Sequence, residues 1–84
     1  MGDDVVLRSP LAHARGVIGR YPDRDQRVIF EFERVATRLV HMVGVRRPLA
    51  VEWWVGDTQT HATTLRPWVG VDRAPADRIV EAQP

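Results

Sequence analysis

The sequence predicts a mainly β domain: a small β-barrel or sandwich of about six short antiparallel strands, with one short helix near residues 10–18. Thirteen valines among 84 residues, against five leucines and three isoleucines, give a β-branched bias that favours strands. Apolar and polar residues also alternate over several short segments, which is the period of a half-buried strand. The length suits a single domain spanning residues 1–84.

The clearest hairpin joins the segments 49–55 and 58–65. The pair Gly56-Asp57 supplies the turn between them. Because neighbours on a strand point to opposite faces, Trp53 and Trp54 cannot both enter one core. We expect one of them to be buried and the other to be exposed or covered by a loop.

Two further strands are predicted at 28–34 and 38–43. In the second, Leu39, His41 and Val43 share one face, and the other face carries Arg38, Val40 and Met42. Short strands are also predicted at 5–8 and 79–82. The segment 66–77 contains two prolines and a glycine and is predicted to be irregular or only partly extended.

A single helix is predicted, near residues 10–18. Ser9 is a suitable N-cap, Pro10 suits the first helical position, and Gly19 can end the helix. Arg15 lies at the edge of the apolar stripe, where an arginine must reach solvent or a carboxylate. It is the one arginine whose position the composition does not explain.

The composition excludes several classes of protein. The absence of cysteine rules out disulfides, iron–sulfur clusters and a thiol nucleophile. The acidic N-terminal segment is not a signal peptide and no apolar stretch is long enough to span a membrane, so a soluble cytoplasmic protein is expected.

All twelve basic residues are arginines. Such a set suits bidentate recognition of phosphate or carboxylate, but it also follows from a GC-rich genome. Eleven acidic residues reduce the net charge to +1, which argues against nucleic acid as the partner.

No motif predicts a catalytic, metal or cofactor site. The only serine is Ser9, and there is no glycine-rich phosphate loop. The histidines are His13, His41 and His61, and none has a partner at a metal-ligand spacing. His41 is either a partly buried histidine bonded to backbone or a catalytic base.

The order of six segments resembles the family called domain of unknown function 192. The segments that carry the resemblance are 11–20, 28–32, 40–42, 48–53, 65–68 and 75–81. The chain departs from the family pattern at His41, at Gly44-Val45, at Ala50 and in its C-terminal tail. The resemblance implies a compact β-rich domain with one short helix. It implies little about function, because the family is uncharacterised.

The leading hypothesis is a small non-enzymatic binding or interaction domain, either a monomer or a weak dimer, that needs no cofactor. Its partner would be a protein or a small ligand. The candidate site residues are Arg15, His41, Met42, Trp54 and Trp68. The alternatives are a hydrolase-like enzyme that uses His41 and Arg15, and a nucleic-acid binder that uses its arginines.

Overall fold

A computed structural model describes residues 4–7 and 21–84 and confirms the mainly β fold. The strands of this part are β1 (Asp4–Leu7), β2 (Arg27–His41), β3 (Leu49–Val55), β4 (Thr58–Leu65) and β5 (Val71–Ala82). They form one open sheet in the order β1-β2-β5-β3-β4. The pairs β2–β5, β5–β3 and β3–β4 are antiparallel, and β1 runs parallel to β2.

The expected six antiparallel strands and short helix are not found in the described ranges. The segments predicted as separate strands at 28–34 and 38–43 are one long strand, β2. It stays continuous because the irregularity between Glu31 and Ala36 is absorbed as a shift of register against β5. The predicted helix near residues 10–18 lies outside the described residues.

The segment 66–77, predicted to be irregular or only partly extended, belongs to β5 from Val71 onward. Pro75 lies opposite Thr37 of β2, but its carbonyl faces the other side, towards β4. There the carbonyl accepts a 2.6 Å hydrogen bond from Thr60 Oγ1. The amide position and the carbonyl of one strand residue point to the same side. The donor that proline lacks is therefore not needed by the ladder with β2.

The second half of β2 and the first half of β5 form a two-stranded ribbon. This ribbon, residues 36–41 paired with 71–76, has no backbone pairing to β1 or β3. Its inner face covers the core, because Ala74 and Ala76 are buried and Trp53 Nε1 donates a 2.8 Å hydrogen bond to the carbonyl of Arg38. The buried apolar side chains of the core cluster are Val28, Phe30, Met42, Val45, Leu49, Val51, Trp53, Leu65, Ala74, Ala76 and Ile79.

Side chains rather than a backbone ladder join the edge strand β4 to the ribbon. Thr60 Oγ1 reaches the Pro75 carbonyl, and His61 Nε2 lies 2.7 Å from Asp72 Oδ2. The His61 ring also lies 5.1 Å from that of Trp53. The sheet thus curls around its core without a closed set of backbone hydrogen bonds.

The two adjacent tryptophans confirm the prediction of opposite faces. Trp53 is fully buried in the core. Trp54 lies half-buried on the other face of the sheet, where its Nε1 donates to Glu52 Oε1 at 2.9 Å and the Arg78 guanidinium stacks 5.0 Å from its ring.

Candidate functional site

Two turns meet at the far end of the ribbon. In the first, Val45 N donates to the Met42 carbonyl at 2.9 Å, and Gly44 takes the positive φ of 84° that such a turn requires. In the second, Gly70 N donates to the Arg66 carbonyl at 3.0 Å. Hydrogen bonds from Met42 N to the Gly70 carbonyl and from Trp68 N to the Val45 carbonyl hold the two turns together.

Trp68 is in a strained conformation within the second turn. Val69 N donates to the Pro67 carbonyl at 2.7 Å, which makes Trp68 the centre of a three-residue γ-turn with φ of 64°. The γ-turn with positive φ is the rare, strained form, and bulky residues seldom adopt it. Trp68 is nevertheless 53% exposed and is not part of the buried core cluster. Strain of this kind is concentrated at functional sites.

The ribbon and the two turns next to Trp68 in the chain carry four exposed aliphatic side chains. Leu39 and Val71 lie on the outer face of the ribbon, and Val43 and Val69 flank the bond between Met42 and Gly70. Exposure reaches 73% at Val69. We call these five residues the tip surface: Leu39, Val43, Trp68, Val69 and Val71. Exposed apolar side chains gathered at one end of a molecule mark a binding surface more often than scattered ones do.

Arginines lie in the loops at the tip. The loops 42–48 and 66–70 contain Arg46, Arg47 and Arg66 and no acidic residue, and Arg73 pairs with Leu39 across the ribbon. The Arg47 side chain points away from the tip, because its guanidinium lies 4.8 Å from the Tyr21 ring and donates to Gln83 Oε1 at 3.4 Å. The other three arginines are exposed. The ion pair of Arg27 with Asp4, at 2.9 Å, lies at the opposite end of β2. The two tip loops therefore depart from the near balance of charge in the whole chain.

Two of the five predicted site residues, His41 and Trp68, come together at this end of the molecule. His41 pairs with Val71 on the outer face of the ribbon, it is exposed, and its Nδ1 accepts a 3.2 Å hydrogen bond from Val43 N. Met42, a third candidate, is fully buried and packs in the core beneath the tip.

The other two predicted residues are not part of the tip surface. Trp54 lies towards the end of β3 and stacks with Arg78 on the second face of the sheet. Arg15 lies outside the described residues. The pairing of His41 with Arg15 that a hydrolase-like site requires therefore stays a prediction.

The sequence contains a signal for the tip residues that are not among the predicted site residues. The alternation places Leu39, His41 and Val43 on one face, and in β2 the first two do share a face. The alternation does not show which of the two faces is buried, because the face opposite Leu39 carries Arg38. Arg38 can turn inwards because its guanidinium lies 4.0 Å from the Phe32 ring and its nitrogens donate to the carbonyls of Ala76 and Arg34.

A shallow cavity of about 280 Å³ lies near the β3–β4 turn, on a different part of the surface from the tip. Its lining residues are Glu31, Phe32, Gly56, Asp57, Asp77 and Arg78. Asp77 Oδ1 accepts a 3.1 Å hydrogen bond from Gly56 N, so one carboxylate is partly used in fixing the turn. Ligand sites are usually lined by apolar and aromatic groups, whereas three of these six residues are acidic.

The carboxyl groups of Asp72 and Glu81 have shifted pKa values. The hydrogen bond from His61, helped by the one from Arg73 N, lowers the pKa of the Asp72 carboxyl. Burial raises the pKa of Glu81 to about 8, and its Oε1 has no hydrogen-bond partner. Among the residues described, no group of three or more His, Cys, Asp or Glu side chains could hold a metal ion.

The fold is similar to that of two solved bacterial proteins. One is a candidate transcription regulator from Sinorhizobium meliloti 1021, with a TM-score of 0.82 and 16% identity over 95% of this chain and 67% of that one. The other is a protein of unknown function from Novosphingobium aromaticivorans DSM 12444, with the same TM-score and identity over 95% of this chain and 61% of that one. The chain thus spans about two thirds or less of these proteins.

These likenesses show the fold and assign no activity, because the identity is low and neither protein has a specific established function. No protein-family model and no curated protein matches the sequence. Within the described ranges, no helix is long and apolar enough to cross a membrane.

Proposed function

We propose that the protein is a small non-enzymatic binding domain whose contact surface is the tip surface. The single observation that carries the proposal is Trp68, held by a strained γ-turn with its indole more than half exposed. A residue that strains the backbone and leaves much of its apolar area in water contributes little to the stability of the folded chain. A partner that covers the indole gains the free energy of burying that apolar area. Tryptophan is also enriched among the residues that dominate binding.

The surroundings of Trp68 support the same function. The ribbon and the two turns carry four exposed aliphatic side chains and exposed arginines as well as Trp68. Aromatic residues and arginine are the types enriched in protein interfaces. The exposed His41 at the edge of this surface donates or accepts hydrogen bonds and serves here as a contact residue rather than as a base.

We also propose that the chain is a member of the domain of unknown function 192 family. The support is the order and spacing of the six similar segments, and the mainly β fold agrees with the expectation. The cytoplasmic location and the monomeric or weakly dimeric state stay predictions of the sequence.

The experiment that tests the proposal uses an apolar anionic dye, anilinonaphthalene sulfonate, as the probe. Binding to the native chain is followed by dye fluorescence, and the amide resonances that shift on titration locate the site. We expect shifts within residues 39–43 and 66–73. Val69→Ser should weaken dye binding several-fold, and Val35→Ser, which changes another exposed valine outside the tip surface, should not.

Two results would contradict the proposal. The first is an equal loss of dye binding in the Val69→Ser and Val35→Ser variants. The second is a set of shifts centred on Asp57, Asp77 and Arg78, which would move the binding site to the shallow cavity.

A further inference from the structure

We infer that the free edge of the ribbon pairs with the same edge of a second copy of the chain, so that two β2 strands join antiparallel around Leu39. The inference goes beyond the proposed function and is independent of it, because it depends on backbone groups of β2 and not on Trp68. Three features of the ribbon carry it: the direction of its backbone groups, the exposure of its edge, and the match of that edge to itself.

Backbone groups of alternate residues in the second half of β2 point away from β5. Pro75 has no amide hydrogen, so its pair with Thr37 is not one of the hydrogen-bonded pairs of the ladder. The N–H and C=O groups of Thr37 therefore point to the other side of β2. Those of Leu39 and His41 do the same, because the direction repeats every second residue. The three residues place six backbone hydrogen-bonding groups on this edge.

In the described part of the chain, no strand covers this edge. β1 pairs with β2 only as far as Phe30. Thr37, Leu39 and His41 are all exposed, and none of the described residues forms a hydrogen bond with their six edge groups. Soluble proteins protect such edges with charged side chains or proline. None of these three residues is proline, acidic, lysine or arginine.

Arg38, which lies between them, does not protect the edge either. Its guanidinium is directed to the carbonyls of Ala76 and Arg34 and to the Phe32 ring. An unpaired and unprotected edge of this kind is a template for another strand.

The edge is complementary to itself. Antiparallel pairing centred on Leu39 places this residue opposite Leu39 of the second copy, and Thr37 opposite His41 of the second copy, twice by symmetry. All three are then hydrogen-bonded pairs, so each copy satisfies its six edge groups. His41 Nδ1 already accepts a hydrogen bond from Val43 N, which leaves Nε2 to donate to the threonine hydroxyl across the interface.

Other registers and other strands match the edge less well. Centring the pair on Thr37 would place His41 opposite the segment 32–35, where β2 loses its register against β5. An extended segment of another protein would use the same backbone groups, but strand addition of that kind gains its selectivity from pockets for alternate side chains. The second copy instead supplies a leucine for the leucine. An interface of three residue pairs is small, which suits the weak dimer that the sequence allows.

The test is analytical ultracentrifugation of the full chain at concentrations up to the millimolar range, where we expect a monomer–dimer equilibrium. Leu39→Glu and Leu39→Lys each place two like charges at the centre of the interface, and each should lower the association constant at least tenfold. An equimolar mixture of these two variants pairs glutamate with lysine and should recover association. The control Val71→Glu changes a residue of the neighbouring strand with nearly equal exposure, 57% against 56%, and should change the constant less than threefold.

A chain that stays monomeric at all these concentrations overturns the inference. A dimer that Leu39→Glu and Val71→Glu weaken equally, or that the mixture does not restore, also overturns it, because the interface is then not centred on Leu39. Trp68→Gly should leave the dimer intact. If this variant abolishes the dimer, the second copy occupies the tip surface and the inference fails. Dye binding by the same variant tests the proposed function separately.

Discussion

Trp68 places a bulky side chain where the backbone favours glycine. A left-handed conformation costs a residue with a Cβ atom roughly 1–2 kcal/mol, and glycine avoids most of this cost. Glycine has more freedom in the unfolded chain, which returns about 0.5–1 kcal/mol. The two terms nearly cancel, so the backbone conformation gives tryptophan no advantage over glycine at this position.

Trp68→Gly relieves the backbone strain but loses the burial of the covered half of the side chain, so it should cost far less stability than a core substitution, while it removes binding at the tip. Urea denaturation measures the first effect and dye titration the second. Trp53→Ala, which empties the core, should cost about 3–5 kcal/mol in the same assay. If Trp68→Gly loses stability comparable to Trp53→Ala, the indole is a packing element and the proposed function loses its main support.

Glu81 is a carboxyl group in an apolar environment. It pairs with Val28 and Val51 on the core face of the sheet and is 4% exposed. Burial without a compensating charge raises its pKa from the ordinary 4.5 to about 8. The folded chain thus keeps this proton at pH values where the unfolded chain has released it.

The raised pKa of Glu81 makes the stability of the fold depend on pH. Between about pH 4.5 and pH 8 the folded state binds more protons at Glu81, so stability falls as the pH rises, and the loss levels off above pH 8. Glu81→Gln should flatten this decline. Unfolding midpoints of both proteins from pH 4 to 9 provide the measurement. Parallel curves for the two proteins would mean that Glu81 has an ordinary pKa.

At the scale of elements, the loop between β4 and β5 depends on a glycine. A Cβ atom on Gly70 would lie 2.7 Å from both the nitrogen and the carbonyl oxygen of Arg66, and 2.9 Å from the Leu65 Cβ. Two of these atoms are backbone, so the turn itself would have to move. Gly56, in the β3–β4 turn, has φ of 55°, and a Cβ atom there would point into open space.

Gly70→Ala should therefore cost roughly 1–3 kcal/mol through overpacking. Gly56→Ala should cost only the strain of a left-handed residue, about 1 kcal/mol. Urea unfolding of both variants gives the comparison, and dye titration shows whether the displaced turn also removes the tip surface. A larger loss in Gly56→Ala than in Gly70→Ala would show that the loop accommodates the methyl group.

Local patterns predict some elements well and others poorly. The hairpin of β3 and β4 follows from its alternation and its Gly-Asp turn, and the opposite faces of Trp53 and Trp54 follow from the period of a strand. The first half of β5 is missed because Pro67, Gly70 and Pro75 argue against a strand. Only the long-range contact of Pro75 with Thr60 shows that its missing donor is not needed.

Local patterns predict only part of the candidate site. Trp68 and His41 stand out by residue type, whereas Leu39, Val69 and Val71 look like ordinary core residues in the sequence. Their exposure depends on which face of the ribbon packs against the core. The hydrogen bonds of Trp53 and Arg38 fix that face. No local pattern contains this information.

At the scale of the whole molecule, apolar surface is divided between the core and the tip. The core cluster includes Trp53, Leu49 and Val51, each at most 1% exposed. The tip surface has a similar composition but lies in water. Side chains of the first group should determine stability, and those of the second group should determine binding and solubility.

The triple variant Leu39→Thr/Val69→Ser/Val71→Thr tests this division. Surface substitutions usually change stability by less than about 0.5 kcal/mol each, so its unfolding midpoint should stay close to that of the native chain. Its solubility limit should rise, because an exposed apolar surface has been removed. The control Val51→Thr places a hydroxyl group in the core and should cost about 1–3 kcal/mol. If the triple variant unfolds as readily as Val51→Thr, the tip side chains belong to the folding core and are not reserved for a partner.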